Sequence, residues 1–420
     1  MKIVILTDGF LPALGGAERV ASQLAFGYVK SGHQVDVITT HLKDKLIQEN
    51  YKGVSVWLIP TKQYHQRWQA YRSLYNPSVV RGVKEVLQEI KPDIVHVHNI
   101  HYQISYYSLK YAKRFALKVF LTAHDVMLFH YAKLLEFIDP TDLTCPDEFS
   151  YKVSIWQQLK RFKKRYNPLR NIIIKHYLKY VDRIIAVSKA LQQALCDNKI
   201  SNTEVIYNGI SVNNWQVDCS LINDFQQKYN LNKKKVILYI GRIFPLKGTG
   251  QLLEAFADVL AMEPGAALLI VGEHISEEGD YLDKQSFKSL SDKIISTGRL
   301  SGDLLTAAYH ASDVVVVPSI TFDSFPTVNF EAMACKKPVI ATCFGGSREL
   351  VLDGETGYII NPYNTKKFTD RICELLANPE RARLFGQRGY ERVKEKFSLD
   401  KQINSYLELF QQSLSDIRSK

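Results

Sequence analysis

Two carboxylates eight positions apart, Asp323 and Glu331, stand in the run Ser319-Ile-Thr-Phe-Asp-Ser-Phe-Pro-Thr-Val-Asn-Phe-Glu-Ala-Met-Ala-Cys335. An apolar run, Val314-Val315-Val316-Val317, feeds into it and stops at Pro318. The pattern predicts a strand, a loop, and a helix from about Val328 to Ala334. A loop at the carboxyl end of a strand that opens a helix is where α/β proteins bind anions and sugars. The backbone N–H groups of Phe325, Thr327 and Val328 are expected to point into such a site, with Ser324 beside them. Read blandly, the same run is a strand, a turn and a surface helix with two ordinary acids.

A second strand-to-helix loop carries cations. Lys235–Ile240 reads as a strand and Thr249 to about Leu260 as a helix, with Gly241-Arg242-Ile243-Phe244-Pro245-Leu246-Lys247-Gly248 between them. Arg242 and Lys247 suit the two phosphates of a nucleoside diphosphate. Arginine grips oxygens with a planar fork, and lysine supplies a point charge. A third such loop follows the strand Lys2–Thr7. There Gly15 and Gly16 open a helix running from Ala17 to about Lys30, where a phosphate can approach the backbone. Glu18, in that helix's first turn, either complements the helix dipole or acts as a ligand. His124 lies just past the strand Leu117–Ala123, placed to meet a ligand at the strand ends. His96 and His98 share one face of the strand Asp93–His98. No third metal ligand is visible near them, so a structural role is the better reading and no metal site is expected.

These groups need a scaffold that brings strand ends together. Gly32–Thr39 reads as a loop into a further strand, and strands also read at Val54–Ile59, Asp182–Val187, Glu204–Ile206, Ala267–Gly272, Ile294–Gly298 and Asp313–Val317, with a helix over Val79–Ile90. Strands alternating with helices predict doubly wound parallel sheets. At 420 residues the chain has length for two or three domains. The expected division is a first domain over 1–210, a linker over 211–231, a second domain over 232–398, and a closing amphipathic helix over 399–420 that braces the two. No apolar run reaches the length of a membrane span, and Met1–Leu6 enters a strand directly, so no leader is expected. Six cysteines scattered without a C-x-x-C pair argue for free thiols in a reducing cytoplasm.

The net charge of +11 is lopsided. Residues 1–210 hold 29 Lys and Arg against 17 Asp and Glu, a balance of +12, and the remainder carries −1. Tyr151–Tyr180 concentrates this excess, with nine cations and no acid. Ile155, Leu159, Phe162 and Tyr166 recur there at helical spacing, with Trp156 beside them, and Ile172, Ile173 and Tyr177 follow after Asn167-Pro168. An amphipathic helix with Lys and Arg on one side and Trp and Phe on the other predicts an anionic membrane surface as partner. Gln63–Arg72, with Tyr64, Arg67, Trp68 and Tyr71, extends it. Nucleic acid is disfavoured, because the cations sit on an apolar-faced segment and no nucleic-acid module is recognisable.

Taken together, Gly15-Gly16-Ala17-Glu18, Gly241-Arg242 with Lys247-Gly248, and the spaced acids followed by Ala-Met-Ala-Cys closely resemble family 4 of the retaining glycosyltransferases. Asp182-Arg183-Ile184-Ile185-Ala186-Val187-Ser188, Tyr207-Asn208-Gly209 and Gly345-Gly346-Ser347-Arg348-Glu349 fit in matching order. The resemblance implies a GT-B fold: two doubly wound Rossmann-like domains facing across a cleft, with a nucleotide-sugar held mainly by the second. It also implies transfer with retention and without an essential metal or other cofactor, and the chain has no Asp-x-Asp. Carried over, Arg242 and Lys247 bind the diphosphate, Glu331 the ribose hydroxyls, and Asp323, Ser324 and Phe325 the donor sugar. Gly16 offers its amide to the diphosphate, and His124 contacts the sugar near the reacting carbon. Two positions depart from the family pattern: Asp323 stands for a glutamate, and Pro326 for a glycine. Gly272-Glu273-His274-Ile275 replaces a family Gly-Asp-Gly-Pro, so nothing is carried over there.

The expected activity is transfer of a hexose or N-acetylhexosamine from a nucleoside-diphosphate sugar. The expected acceptor is a lipid-linked or other glycan, in envelope polysaccharide synthesis at the cytoplasmic face of a membrane. An epimerase or phosphorylase on the same fold, or a silent nucleotide-sugar-binding subunit, are the alternatives.

Overall fold

A computed structural model describes residues 1–11, 15–65, 68–273 and 290–418. The chain forms two compact units. The first comprises Met1–Glu136, Ser150–Asn208 and Leu399–Lys420; the second comprises Phe137–Phe149 and Gly209–Ser398.

Runs of Val, Ile and Leu build the first sheet, because strands covered on both faces by helices must be apolar throughout. Its strands are β1 (Lys2–Leu6), β2 (Gln34–His41), β3 (Ile47–Tyr51), β4 (Val54–Pro60), β5 (Ile94–Val97), β6 (Lys118–Ala123), β7 (Arg183–Ala186) and β8 (Thr203–Val205). Their order is β3-β4-β2-β1-β5-β6-β7-β8. All pairs are parallel except β3 with β4. Strand order reverses beside β1, so the carboxyl ends of β1 and β5 form the switch point where ligands of such sheets bind. Asp8, just past β1, fastens that edge. Its carboxylate accepts the amides of Tyr102, Gln103 and Ile104 at 2.6, 2.8 and 2.8 Å. The helix Leu399–Arg418 returns to this unit and sets Ile403, Tyr406, Leu407 and Phe410 in its core with Ile3, Ile5, Leu24 and Tyr28.

The second sheet holds β9 (Lys235–Ile240), β10 (Ala266–Val271), β11 (Ile294–Ser296), β12 (Val314–Val317), β13 (Val339–Thr342) and β14 (Gly357–Ile360). Its order is β11-β10-β9-β12-β13-β14, parallel throughout. Here the order reverses at β9, so the loops after β9 and β12 emerge side by side. Ile237, Tyr239, Leu252, Phe256, Leu268, Val316 and Phe368 anchor the core. Apart from the antiparallel edge strand β3, each sheet is parallel and doubly wound, and the fold is GT-B.

Several stretches differ from the sequence reading. Residues 137–149 join the second unit, although the expected boundary placed all of 1–210 together. Asn361 Nδ2 donates to the carbonyls of Asp142 (2.7 Å) and Thr144 (2.8 Å), and the rings of Phe137 and Phe149 pack against Phe344. Residues 211–231, expected as a linker, fold with the second unit. They carry a 3-10 turn, Val212–Trp215, and a helix, Cys219–Lys228, that buries Phe225. The polar strand β3 and the four-residue strands β13 and β14 were not among the predicted elements.

Candidate active site

In the second unit, the loop from β9 to the helix Thr249–Met262 is shaped by its glycines. Gly248 lies at φ 75°, and a Cβ there would overlap the carbonyl of Pro318 at the end of β12. This contact brings the cationic loop against the acidic one. Lys247 Nζ lies 2.7 Å from Asp323 Oδ2, and Ser319 Oγ donates to the same oxygen at 3.3 Å. The two side chains are 30% and 14% exposed, so the pair is screened but still reachable from solvent. An ammonium has three N–H donors, so Lys247 can hold Asp323 and still meet phosphate oxygens. Arg242 is exposed, and its guanidinium makes no hydrogen bond among the described residues. Its carbonyl accepts the Tyr239 hydroxyl at 2.9 Å, which fixes the backbone from which the fork projects.

The acidic loop is zipped to the segment after β13. The Asp323 amide donates to Phe344 O at 3.2 Å, and the Gly346 amide donates to Asp323 O at 2.9 Å. Gly345 sits at φ 103°, with Asp323 backbone where a Cβ would lie. Pro326 caps the helix Thr327–Ala334 with no side-chain hydrogen bond. Thr327 and Val328 stand half-buried in its first turn, where the helix dipole favours an anion. Ser324 is buried. The Phe325 ring is buried too, 4.9 Å from the Phe330 ring and 5.9 Å from that of Phe397, so its side chain belongs to the core and only its main chain is left for a ligand. Glu331 is buried and accepts the Tyr309 hydroxyl at 2.7 Å. Trp215 packs edge-on against Tyr309 at 5.6 Å.

The other candidates belong to the first unit. Gly15 is the extended N-cap of the helix Gly16–Lys30, without a side-chain cap bond, and both glycines are exposed. The Glu18 carboxylate folds back to the place a Gly15 side chain would take. His124 is half-buried past β6. Its Nε2 lies 2.8 Å from His98 Nδ1, with the rings stacked at 5.1 Å and 19°. His96 makes a separate chain: Tyr28 OH lies 3.2 Å from its Nδ1, Thr122 Oγ1 lies 2.8 Å from its Nε2, and Tyr406 OH lies 2.9 Å from that Oγ1. Burial, with His124 nearby, lowers His96 to about 3. Burial, against the pull of Asp125, lowers His124 to about 4. Burial with His96 and His124 close by holds His98 well below its ordinary value. The rings are therefore neutral near pH 7 and act through hydrogen bonds. Sequence reasoning missed Tyr309, Ser319 and the anchoring Asp8, and it left His98 as structure. A strand-end Asp-Gly at Asp8-Gly9 was the available signal for Asp8.

The basic segment forms a helix Ile155–Phe162, opened by a Ser154–Gln157 capping box, then a 3-10 turn Lys163–Arg165 and a helix Arg170–Leu178. Two expectations need correction. Trp and Phe do not share a face: Phe162 packs on His130 and Tyr131 at 5.6 and 5.3 Å, while Trp156 is 80% exposed on the side of Lys160. Arg170 is not a surface cation. It is fully buried and donates to Met127 O at 2.6 Å. Arg161 pairs with Glu136 at 2.8 Å. Lys152, Lys160, Lys163, Lys164, Arg165 and Lys179 remain exposed, with Ile155, Leu169 and Ile172 exposed beside them. In the extension, Arg67 lies outside the described residues, as do His274 and Ile275. Trp68 and Tyr71 are exposed. No helix among the described residues is long and apolar enough to cross a membrane.

Comparison with known proteins agrees with this geometry. Residues 14–214 match Glycosyltransferase Family 4, and residues 222–392 match Glycosyl transferases group 1. An uncharacterised glycosyltransferase of Methanocaldococcus jannaschii is 27% identical over 95% of both chains. The N-acetyl-alpha-D-glucosaminyl L-malate synthase of Bacillus anthracis is 25% identical over 96% of both. The lipopolysaccharide 1,2-N-acetylglucosaminetransferase of Salmonella typhimurium is 32% identical over 42% of this chain and 50% of its own. Among solved structures, sucrose-phosphate synthase of Thermosynechococcus elongatus superposes with a TM-score of 0.75 at 22% identity over 99% of both chains. HepE of Anabaena, in complex with UDP-glucose, superposes with a TM-score of 0.68 at 19% identity over 100% of both.

Proposed function

This chain belongs to the group 1, family 4 glycosyltransferases, and from that premise we propose that it moves a hexose or N-acetylhexosamine from a nucleoside-diphosphate sugar to a lipid-linked glycan. The observation that carries the donor assignment is the meeting of two loops at the β9–β12 switch point. It sets Lys247 on Asp323, and it leaves Arg242 exposed in the same loop, its fork without a hydrogen bond among the described residues. Arg242 and Lys247 offset the charge that grows on the diphosphate as the sugar–phosphate bond breaks, so transfer needs no essential metal. Thr327 and Val328 amides add backbone donors for the diphosphate. Asp323, Ser324 and the Phe325 main chain take sugar hydroxyls. Glu331, aimed by Tyr309, takes the ribose. His124 contacts the sugar near the reacting carbon. In the family, the acceptor hydroxyl attacks from the leaving-group face, and a phosphate oxygen helps remove its proton. Transfer then proceeds with retention.

The acceptor assignment rests on the exposed cations and Trp156 of the basic segment, which suit an anionic leaflet. The lipopolysaccharide 1,2-N-acetylglucosaminetransferase among the relatives supports a place in envelope polysaccharide assembly. The deciding experiment is turnover with a panel of nucleoside-diphosphate sugars and membrane-extract acceptors, for the wild type, Arg242→Ala and Lys247→Ala. Loss of one oriented charge from a leaving-group site is expected to cut kcat by about a hundredfold or more. Wild-type rates in both variants overturn the diphosphate assignment. Isomerised or released sugar without any acceptor redirects it to an epimerase or phosphorylase.

A further inference from the structure

We propose that His98 is a positioning residue that holds His124 in the tautomer with its proton on Nδ1, so that His124 presents an N–H donor to the sugar. The inference rests on the role given to His124 above.

The 2.8 Å contact between His98 Nδ1 and His124 Nε2 needs one donor and one acceptor. Two neutral arrangements satisfy it. In one, His98 donates from Nδ1 and keeps a bare lone pair on Nε2, and His124 carries its proton on Nδ1. In the other, His124 donates from Nε2, and His98 must then carry its own proton on Nε2. That atom is buried and has no hydrogen-bond partner among the described residues. A buried N–H without an acceptor is rarer and costlier than a buried lone pair without a donor. The first arrangement therefore wins. A third, with either ring charged, is opposed by burial, which lowers both rings.

Turning the His98 ring over would put a carbon, Cδ2, in the place of Nδ1 and forfeit the contact with His124. His98 is 1% exposed and sits between His96 at 4.3 Å and the stacked His124 at 5.1 Å. His96 is itself tied at both nitrogens, to Tyr28 and to Thr122. Alternation carried from β5 into His98, just past its end, puts His96 and His98 on one face, and register with β6 brings that face to the residues that lead into His124. The engaged nitrogen of His124 is Nε2, so Nδ1 is the atom left for a ligand, and it arrives protonated.

The test is nitrogen-15 NMR of histidine-labelled protein, with the His124 signals assigned by His124→Gln. Each imidazole nitrogen reports whether it carries a proton, whatever the enzyme turns over. The wild type is expected to show His124 protonated at Nδ1 and bare at Nε2. His98→Leu removes the donor; His124 should then sample both tautomers, and kcat/KM should fall about tenfold, the worth of one hydrogen bond. His98→Asn places an amide N–H near the position of the lost Nδ1 and should restore the tautomer and most of the turnover. A wild-type spectrum with the His124 proton on Nε2 overturns the proposal. So does His98→Leu with the tautomer unchanged. If His98→Leu fails to fold, the wild-type and His98→Asn spectra decide. If no nucleoside-diphosphate sugar is turned over, the reading of His124 as a sugar contact falls, while the spectra still decide the tautomer.

Discussion

Lys247 and Asp323 are 76 residues apart in sequence and 2.7 Å apart in space, and what each does depends on the other. The carboxylate holds the ammonium over the switch point, and it also offsets charge that a diphosphate would otherwise receive in full. Asp323→Asn should therefore split binding from turnover. Nucleoside diphosphate alone is expected to bind about three- to tenfold tighter, since a negative charge beside its binding lysine is gone. Sugar transfer is expected to drop about a hundredfold, because the amide no longer accepts sugar hydroxyls with a charged oxygen. Calorimetry with the diphosphate, set against steady-state rates, checks the split; parallel loss of both refutes it. The sequence named both residues and even paired the cations by role. The ion pair itself was not legible, because residue types do not reveal which strand ends are neighbours. Strand order does, and β9 beside β12 is a fact of the folded sheet.

At the scale of elements, unbroken Val and Ile runs fixed β1, β9, β10 and β12 to within about a residue, since such runs fit only strands covered on both faces. The polar β3 lacks that pattern, while β13 (Val-Ile-Ala-Thr) and β14 (Gly-Tyr-Ile-Ile) are buried but so short and mixed that a run of four cannot be told from a turn of helix by pattern alone. Yet β13 leads into the turn that holds Asp323. At Gly345 the positive φ and the Asp323 backbone leave no room for a side chain. Gly345→Ala should destabilise the protein by about 2 kcal/mol in denaturant melts and cost activity by shifting Asp323. His96 of β5 gives a prediction with a definite sign. His96 is held near 3 in the folded protein, against about 6.5 when unfolded. The unfolded chain binds the extra proton, so this contribution to stability is complete above that upper value and is lost as pH falls through the window below it. Between pH 7.5 and 5.5 each such ring costs about 1.4 kcal/mol. His96→Gln should remove one such share from the pH dependence of urea midpoints; an unchanged slope would show that His96 is not buried neutral.

For the molecule as a whole, the excess of +12 on residues 1–210 was legible from counting alone. Which cations serve a surface was not. Arg170 looks like its neighbours in sequence, but it lies in the interior holding the carbonyl of Met127. The folded protein leaves Lys160, Lys163 and Lys164 exposed in the same segment as Trp156. Each cation near an anionic leaflet contributes about 1 kcal/mol, so changing these three to Gln should weaken vesicle binding by about 3 kcal/mol, or roughly 150-fold. Trp156→Ser should weaken it by a salt-independent amount, because the indole acts by burying apolar area. Sedimentation with vesicles of anionic and of zwitterionic lipid, at low and high salt, separates the two contributions. The wild type is expected to bind anionic vesicles at low salt and to release as screening shortens the reach of its charges. Arg170→Gln should instead lower the melting temperature, since it strips a buried carbonyl of its donor. Equal binding to both lipids, or a triple variant that binds like the wild type, would detach the basic segment from the membrane and leave the acceptor to be sought in solution.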